Sequence, residues 1–263
     1  MGKTKTKTII PLEEICRVEI KGKRFYEVKQ NGIVIGAFPS VTSILGTTSD
    51  KTALIKWAKR IGQEEADAVG TRATDRGTVM HRLCELYLMT ACDLGQRERL
   101  DIMLMQVNSD EELKKFDPRA LIVGTQLFFN LYGTGFFERI KQVISQEKFL
   151  WNQLLLNGED LSYAGTVDNF SLMDDDTLKV IDFKTAKKAK QEKWIEGYKM
   201  QVAAYSIAIW KRMGMKPMGC EIWISNEVDR YPQCFMLNFN DITEYFKLFL
   251  ERRKQFNKII ETL

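Results

Sequence analysis

Hydrophobic and polar positions divide the chain into recognisable periods. Residues 23–29 and 33–37 are β-prone runs flanking Asn31-Gly32, a dipeptide suited to a tight hairpin because both turn positions need positive φ. The Pro/Ser/Thr-rich stretch 38–45 leads into helical sequence. Asp50 is placed to cap a helix over about 51–68, with Leu54, Trp57, Ala58 and Ile61 on one stripe. A second helix is predicted from about 77 to 89, and a third over about 118–144, interrupted at Gly133-Thr134-Gly135. Strand-like runs follow at 147–156, 162–173 and 178–185, separated by Asn157-Gly158-Glu159-Asp160 and Asp174-Asp175-Asp176. Then come a helix over about 193–213, strands at 220–225 and 233–238, and a closing helix over about 241–260. The order helix, three strands, helix, two strands, helix predicts an α/β or α+β protein with a mixed, partly antiparallel sheet. No repeat or linker interrupts it, so one domain with an N-terminal extension is expected.

Composition adds mainly exclusions. The 263 residues are 44% hydrophobic and 28% charged, ordinary for a globular chain and unlike a fibrous or disordered one. The single histidine, His81, excludes HExxH chemistry and any zinc site with several His ligands within one chain. The five cysteines are scattered without a CxxC pair, as expected for free thiols in a reducing compartment. No apolar run is long enough to span a bilayer, so no membrane association is expected. The Lys/Thr-alternating start, residues 1–8, has no signal-peptide core. It is expected to be a frayed tail, and the cytoplasm of a bacterial or phage-infected cell the compartment.

The net charge of +4 is small, but residues 184–193 hold five Lys and one Glu, which equals the whole excess. A basic lip of this kind suits a polyphosphate partner, although solvated charged loops are common.

The chemistry concentrates at the strand pair around Asp174-Asp175-Asp176. In an antiparallel hairpin centred on Asp175, Asp168 faces Asp182, and the period of two places Lys184 on the same face as Asp182. Val180, Ile181 and Phe183 are apolar on both faces, as in a central strand covered on both sides. Two carboxylates crowded beside an apolar core repel each other, and a hard divalent cation would relieve the cost. A surface hairpin with a weak salt bridge is the plainer alternative. His81 and Glu85 are four apart on one helix face, as are Gln201 and Tyr205. A lone His on an apolar helix is ordinarily a satisfied core residue, and a Gln beside core Tyr is equally ordinary. Thr74, Arg76 and Thr78 precede or begin the His81 helix, where free backbone N–H groups could hold a phosphate or simply be capped.

Four blocks in order carry a resemblance: Arg76-Gly77-Thr78-Val79-Met80-His81 with Glu85; Ala164-Gly165-Thr166-Val167-Asp168; Ile181-Asp182-Phe183-Lys184-Thr185; and Gln201 with Tyr205. Together they resemble the PD-(D/E)XK nucleases, specifically the RecB-like branch. The upstream block 38–45 looks like that of the mitochondrial genome maintenance exonucleases and their phage relatives.

The resemblance implies a restriction-endonuclease-like mixed β-sheet flanked by helices, with an N-terminal β-hairpin and helical extension. One nuclease domain is then expected over 1–263, with a hairpin extension (1–45), a helical part (46–145) and a catalytic sheet with its helices (146–263). It implies that His81, Asp168, Asp182 and the Phe183 backbone carbonyl hold Mg²⁺ or Mn²⁺. Lys184 would position the attacking water, and Gln201 and Tyr205 would orient Lys184 or touch the DNA backbone. Glu85 and Glu147 are additional candidates. Thr74, Arg76, Thr78, Thr185, Lys187, Lys188 and Lys190 are expected to meet nucleic acid. Val167 stands where the family name has Pro. No four-Cys iron–sulfur arrangement is present, so no cluster is expected. The implied activity is a metal-dependent DNA exonuclease acting on single-stranded or frayed ends. The alternatives are a structure-specific endonuclease or junction resolvase, and a non-catalytic nucleic-acid-binding module. No protein partner can be named.

Overall fold

The computed structural model describes residues 13–263; the Lys/Thr-rich start lies outside the described residues. Strands β1 (Glu13–Ile20), β2 (Lys23–Gln30) and β3 (Ile33–Pro39) form an antiparallel N-terminal sheet. Asn31 (φ 51°) and Gly32 (φ 78°) make the expected turn. Lys21 and Gly22 do the same between β1 and β2. β1 was not anticipated, because its charged, largely exposed residues show no alternation.

Four helices follow: α1 (Val41–Thr48), α2 (Thr52–Ile61), α3 (Gln63–Leu88) and α4 (Gln96–Val107). Ser40 caps α1 by accepting the Ser43 N–H. The helix expected over 51–68 is cut at Gly62, whose φ of 92° ends α2 and starts α3. The helix expected from 77 is only the later half of α3, which runs unbroken through Gly70 and Gly77. Residues 71–78 are therefore no helix start, and their backbone N–H groups lie in mid-helix. The α4 helix was also unanticipated; only Arg99 and Met103 are buried on it, too few to make an apolar stripe.

Asp117 caps α5 (Pro118–Tyr132), with Pro118 in the first turn. The helix expected to reach residue 144 ends there, and Ile140–Asn152 forms strand β4 instead. A small hairpin, β5 (Leu155–Leu156) and β6 (Glu159–Asp160), leads to β7 (Tyr163–Met173) and β8 (Leu178–Ala186). Helix α6 (Glu196–Met213) ends at Gly214 in the left-handed region and connects to β9 (Gly219–Asn226) and β10 (Gln233–Asn238). Asn238 and Asp241 form a capping box at the start of α7 (Phe239–Thr262).

The main sheet has the order β10-β9-β8-β7-β4, with β8 and β9 parallel and the other pairs antiparallel. This is the mixed sheet expected. Both faces are covered. Val180, Ile222 and Ile224 pack with residues of α1, α6 and α7, while Ile181, Phe183 and Trp223 pack with α3, α4 and α5. A smaller cluster of Val28, Phe38, Trp151 and Ala164 fastens the N-terminal sheet to β4 and β7, and the Phe38 and Trp151 rings stack at 5.3 Å. Helices α3 and α5 touch closely at Gly124, where an added Cβ would lie 2.5 Å from Val79. That contact fixes α3, which carries His81, against α5. Among the described residues, no helix is long and apolar enough to cross a membrane.

Candidate active site

The β7–β8 register confirms the sum rule: Asn169 pairs with Ile181 and Phe170 with Val180. The ladder stops one pair before Asp168 and Asp182. There the Asp168 side chain takes over, its Oδ2 accepting the Phe183 backbone N–H at 2.8 Å. On the other side of β7, Gln146 pairs with Asn169 and Lys148 with Val167. Glu147 stands between them, at the position facing Asp168, with φ of 45°. A non-glycine residue in the left-handed region within a strand carries strain of about 1–3 kcal/mol and breaks the alternation of side chains.

From the helix side, His81 Nδ1 lies 3.6 Å from Asp168 Oδ2, and its ring packs edge-on to Phe183 with centroids 5.9 Å apart. Ligand atoms of His81, Glu147 and Asp168 lie within 4.8 Å of one another. One nitrogen and two carboxylates at this spacing match the donor set of a divalent cation. Glu147, on the sequence only an additional candidate, thus belongs to the cluster, while Asp182 is not in it.

Asp182 is 1% exposed. Its Oδ1 accepts from Gln201 Nε2 at 3.1 Å, and the Lys184 ammonium forms an ion pair with Oδ2. Lys184 Nζ also donates to the Phe183 carbonyl at 3.3 Å. An ammonium therefore sits on two of the groups expected to bind metal, so that position suits a cation. Tyr198 lies beside it, with Nζ 5.4 Å from the ring centroid. Tyr205 supports Gln201 from one turn on, with its hydroxyl 3.5 Å from Nε2. Gly165 is required here, because a Cβ would meet the Tyr205 ring at 2.7 Å.

The electrostatics reflect crowded carboxylates. Burial raises Asp182 to about 6, against the pull of Lys184. Burial also raises Asp168, opposed by Lys184 and the Phe183 N–H. Burial, with Asp168 and Glu85 adding to it, lifts Glu147 to about 8 although that side chain keeps exposed surface. Burial, and after it the Lys184 charge, holds His81 at about 4, so the imidazole is neutral at neutral pH, as a metal ligand must be. Burial lowers Lys184, but Asp182 and Asp168 outweigh it and leave the ammonium above its usual value.

The remaining expected residues divide. Glu85 lines a cleft beside His81, and Arg82 holds it while also donating to Asp110 at 2.7 and 3.0 Å. Thr74 and Thr78 line the same cleft, but their hydroxyls donate to the helix carbonyls of Gly70 and Thr74. Arg76 points elsewhere and pairs with Glu227 at 2.7 Å. The phosphate cradle of backbone N–H groups expected around these residues is not there. Thr185 sits against Gly77, 3.3 Å from where its Cβ would be. Lys187 and Lys188 are exposed on the loop after β8, while the Lys190 backbone is anchored to Gln233 on β10 at 2.6 and 2.9 Å. Sequence reasoning missed Arg82, Asp110, Glu112 and Phe116. The last two line the cleft together with residues of α3, and no local pattern marks them.

A family model for the PD-(D/E)XK nuclease superfamily matches residues 55–260. Among solved structures, the protein SSO0001 matches at 13% identity and a TM-score of 0.35, covering 58% of this chain and 69% of its own. A presumed exonuclease from Eubacterium rectale matches at 10% identity and a TM-score of 0.37, covering 64% of each chain, so this chain spans less than two thirds of it. The comparison with curated proteins returns no match.

Proposed function

The chain belongs to the PD-(D/E)XK nuclease superfamily, and on that premise we propose a Mg²⁺- or Mn²⁺-dependent DNA exonuclease of the RecB-like branch. It would act on single-stranded or frayed ends, with the whole chain serving as one nuclease unit. The observation that carries the nuclease reading is the His81, Glu147 and Asp168 cluster with the Lys184 ammonium beside it. The preference for free ends rests on the order of the four sequence blocks and on the block at 38–45.

In this proposal His81, Glu147 and Asp168 would hold the metal, with Asp182 and the Phe183 carbonyl as further donors next to Lys184. The bound cation supplies the positive charge that draws electrons from the scissile phosphate and makes water a better nucleophile. Lys184 orients that water and faces the phosphate oxygens. Gln201 keeps Asp182 in place through its 3.1 Å bond, and Tyr205 keeps Gln201 in place. Lys187 and Lys188 draw the DNA backbone to the β8 end of the site.

The test uses end-labelled linear and covalently closed circular single-stranded DNA, each with Mg²⁺, Mn²⁺ or EDTA. Cutting of linear DNA alone, and only with metal, is expected. Metal-independent cutting would overturn the mechanism, and cutting of closed circles would make the protein an endonuclease.

A further inference from the structure

The cleft that contains His81 and Glu147 of the metal-ligand cluster extends along α3 past the groups that the proposed mechanism uses. It runs along α3 from Glu85 to Ala73, twelve residues apart, hence roughly 18 Å of helix. Its volume is about 480 Å³, within the range of sites that enclose a small organic ligand. Away from the metal-ligand cluster it holds little to bind a phosphate. Glu85 is paired with Arg82, Glu112 with Lys115 at 2.6 Å, and Glu147 belongs to the metal-ligand cluster. The one lining guanidinium, Arg82, is held by Glu85 and Asp110, so the described lining offers a phosphate no free cation. The Thr74 and Thr78 hydroxyl hydrogens are committed to helix carbonyls. What remains of the lining is apolar: Phe116, which also packs against the core between α3 and α5, with Ala73 and Gly77 of α3. Phe116 is half-buried and fixed in a tight turn, its N–H bonded to the Leu113 carbonyl at 3.2 Å, directly before the cap of α5. The exposed cations Lys187 and Lys188 follow the end of β8 and do not line this cleft.

We propose that this cleft is a nucleobase subsite, in which the ring of Phe116 stacks on the unpaired base next to the scissile phosphate. The backbone then passes on the lysine side while the base turns into the aromatic side. This inference rests on the nuclease reading above and deepens it. A base held in a duplex cannot enter the cleft, so the subsite itself selects single-stranded or frayed ends. Sequence tolerance is expected, because every base offers a π-face.

The test compares wild type with Phe116→Leu, which keeps apolar packing and removes the ring. Phe116→Trp serves as a second variant that restores one. The probe is a single-stranded oligonucleotide carrying 2-aminopurine at the nucleotide next to the cleavage site, with an otherwise identical oligonucleotide abasic at that nucleotide. Binding in Ca²⁺ is expected to quench 2-aminopurine in wild type and Phe116→Trp, and not in Phe116→Leu. Wild type is expected to bind the base-bearing oligonucleotide about tenfold more tightly than the abasic one, in line with base stacking on an aromatic ring. Phe116→Leu should abolish that ratio and raise KM with little change in kcat. Equal quenching in all three proteins, or an unchanged ratio in a Phe116→Leu protein that still cuts, would overturn the subsite and leave the nuclease reading standing. A wild type that neither binds nor cuts single-stranded DNA would overturn both.

Discussion

Asp168 accepts the backbone N–H of Phe183 at 2.8 Å, at the point where the β7–β8 ladder ends. One carboxylate thus does two jobs: it closes the strand pair and faces His81. The two jobs separate by substitution. Asp168→Asn keeps an oxygen for the Phe183 N–H but removes the charge. In EDTA it should melt at or above the wild-type temperature, because a crowded buried charge is gone, while activity falls at least about 100-fold and the metal-induced rise in Tm is lost. Asp168→Ala should lose the same activity and, in addition, about 1–3 kcal/mol of stability, because a buried N–H is left unmet. Denaturant unfolding and Mn²⁺ calorimetry on both variants check this. Equal stability of the Asn and Ala variants would show that the bond has no structural weight.

The crowded carboxylates predict a pH dependence of stability in the metal-free protein. Glu147 has a folded pKa raised to about 8, so between its unfolded value and about 8 the folded state holds a proton that the unfolded state has lost. Stability therefore falls as pH rises through that window. Asp182, raised to about 6, acts in the same direction at lower pH. His81, lowered to about 4, acts oppositely below its unfolded value of about 6.5, since the unfolded ring is charged there and the folded ring is not. From about pH 6.5 to 8 the Glu147 contribution remains. In EDTA, wild-type stability is expected to fall over that range, and Glu147→Gln should remove the fall. With Mn²⁺ the trend should reverse, because the ligands must be deprotonated to bind. A flat wild-type profile in EDTA would show that Glu147 is not crowded in this way.

What could be read from the sequence depended on how strictly a local rule was obeyed. The Asn31-Gly32 turn was legible because its backbone demands those residues. The Asp168, Asp182 and Lys184 constellation was legible because a hairpin register follows from its turn, and β7 and β8 keep that register to Ile181. The length of α3 was not, since Gly70, Gly77 and three threonines in 71–78 are poor helix formers. In the structure these residues are carried by packing on α5 at Gly124 and by hydroxyl bonds to helix carbonyls. The place of Glu147 in the cluster was hidden for another reason. Its left-handed φ breaks the strand alternation on which a face assignment depends. Phe116 and Asp110 reach the site only through tertiary folding, 35 and 29 residues after His81 in the chain.

Lys184 and Asp182 offer a test of function against stability. With the ammonium removed, Asp182 remains 1% exposed with only Gln201 to bond it. Lys184→Ala should lower activity about 100-fold or more and cost of order 3 kcal/mol of stability at neutral pH, the effect of leaving a buried carboxylate without its cation. Adding Asp182→Asn should recover most of the stability and none of the activity. Single-turnover cleavage with chemical unfolding of the four proteins in the cycle measures both. Full activity in Lys184→Ala would remove it from the proposed mechanism.

Gly165 reaches the site without carrying any reactive group. A Cβ there would lie 2.7 Å from Cε1 and 2.9 Å from the hydroxyl of Tyr205, too close to be accepted without movement of the ring. That ring supports Gln201, and Gln201 bonds Asp182, so displacement passes through two side chains to the carboxylate. Gly165→Ala is expected to cost about 1–3 kcal/mol of stability through overpacking and to lower activity through loss of the Asp182 position. In the double variant Gly165→Ala/Tyr205→Leu the ring is gone, so stability should return towards that of Tyr205→Leu alone, giving a favourable coupling energy. Activity should stay low in both Tyr205→Leu proteins, because Gln201 has lost its support. If Gly165→Ala is as damaging with Leu at 205 as with Tyr, the harm lies in the β7 backbone, and Tyr205 does not relay it to Asp182.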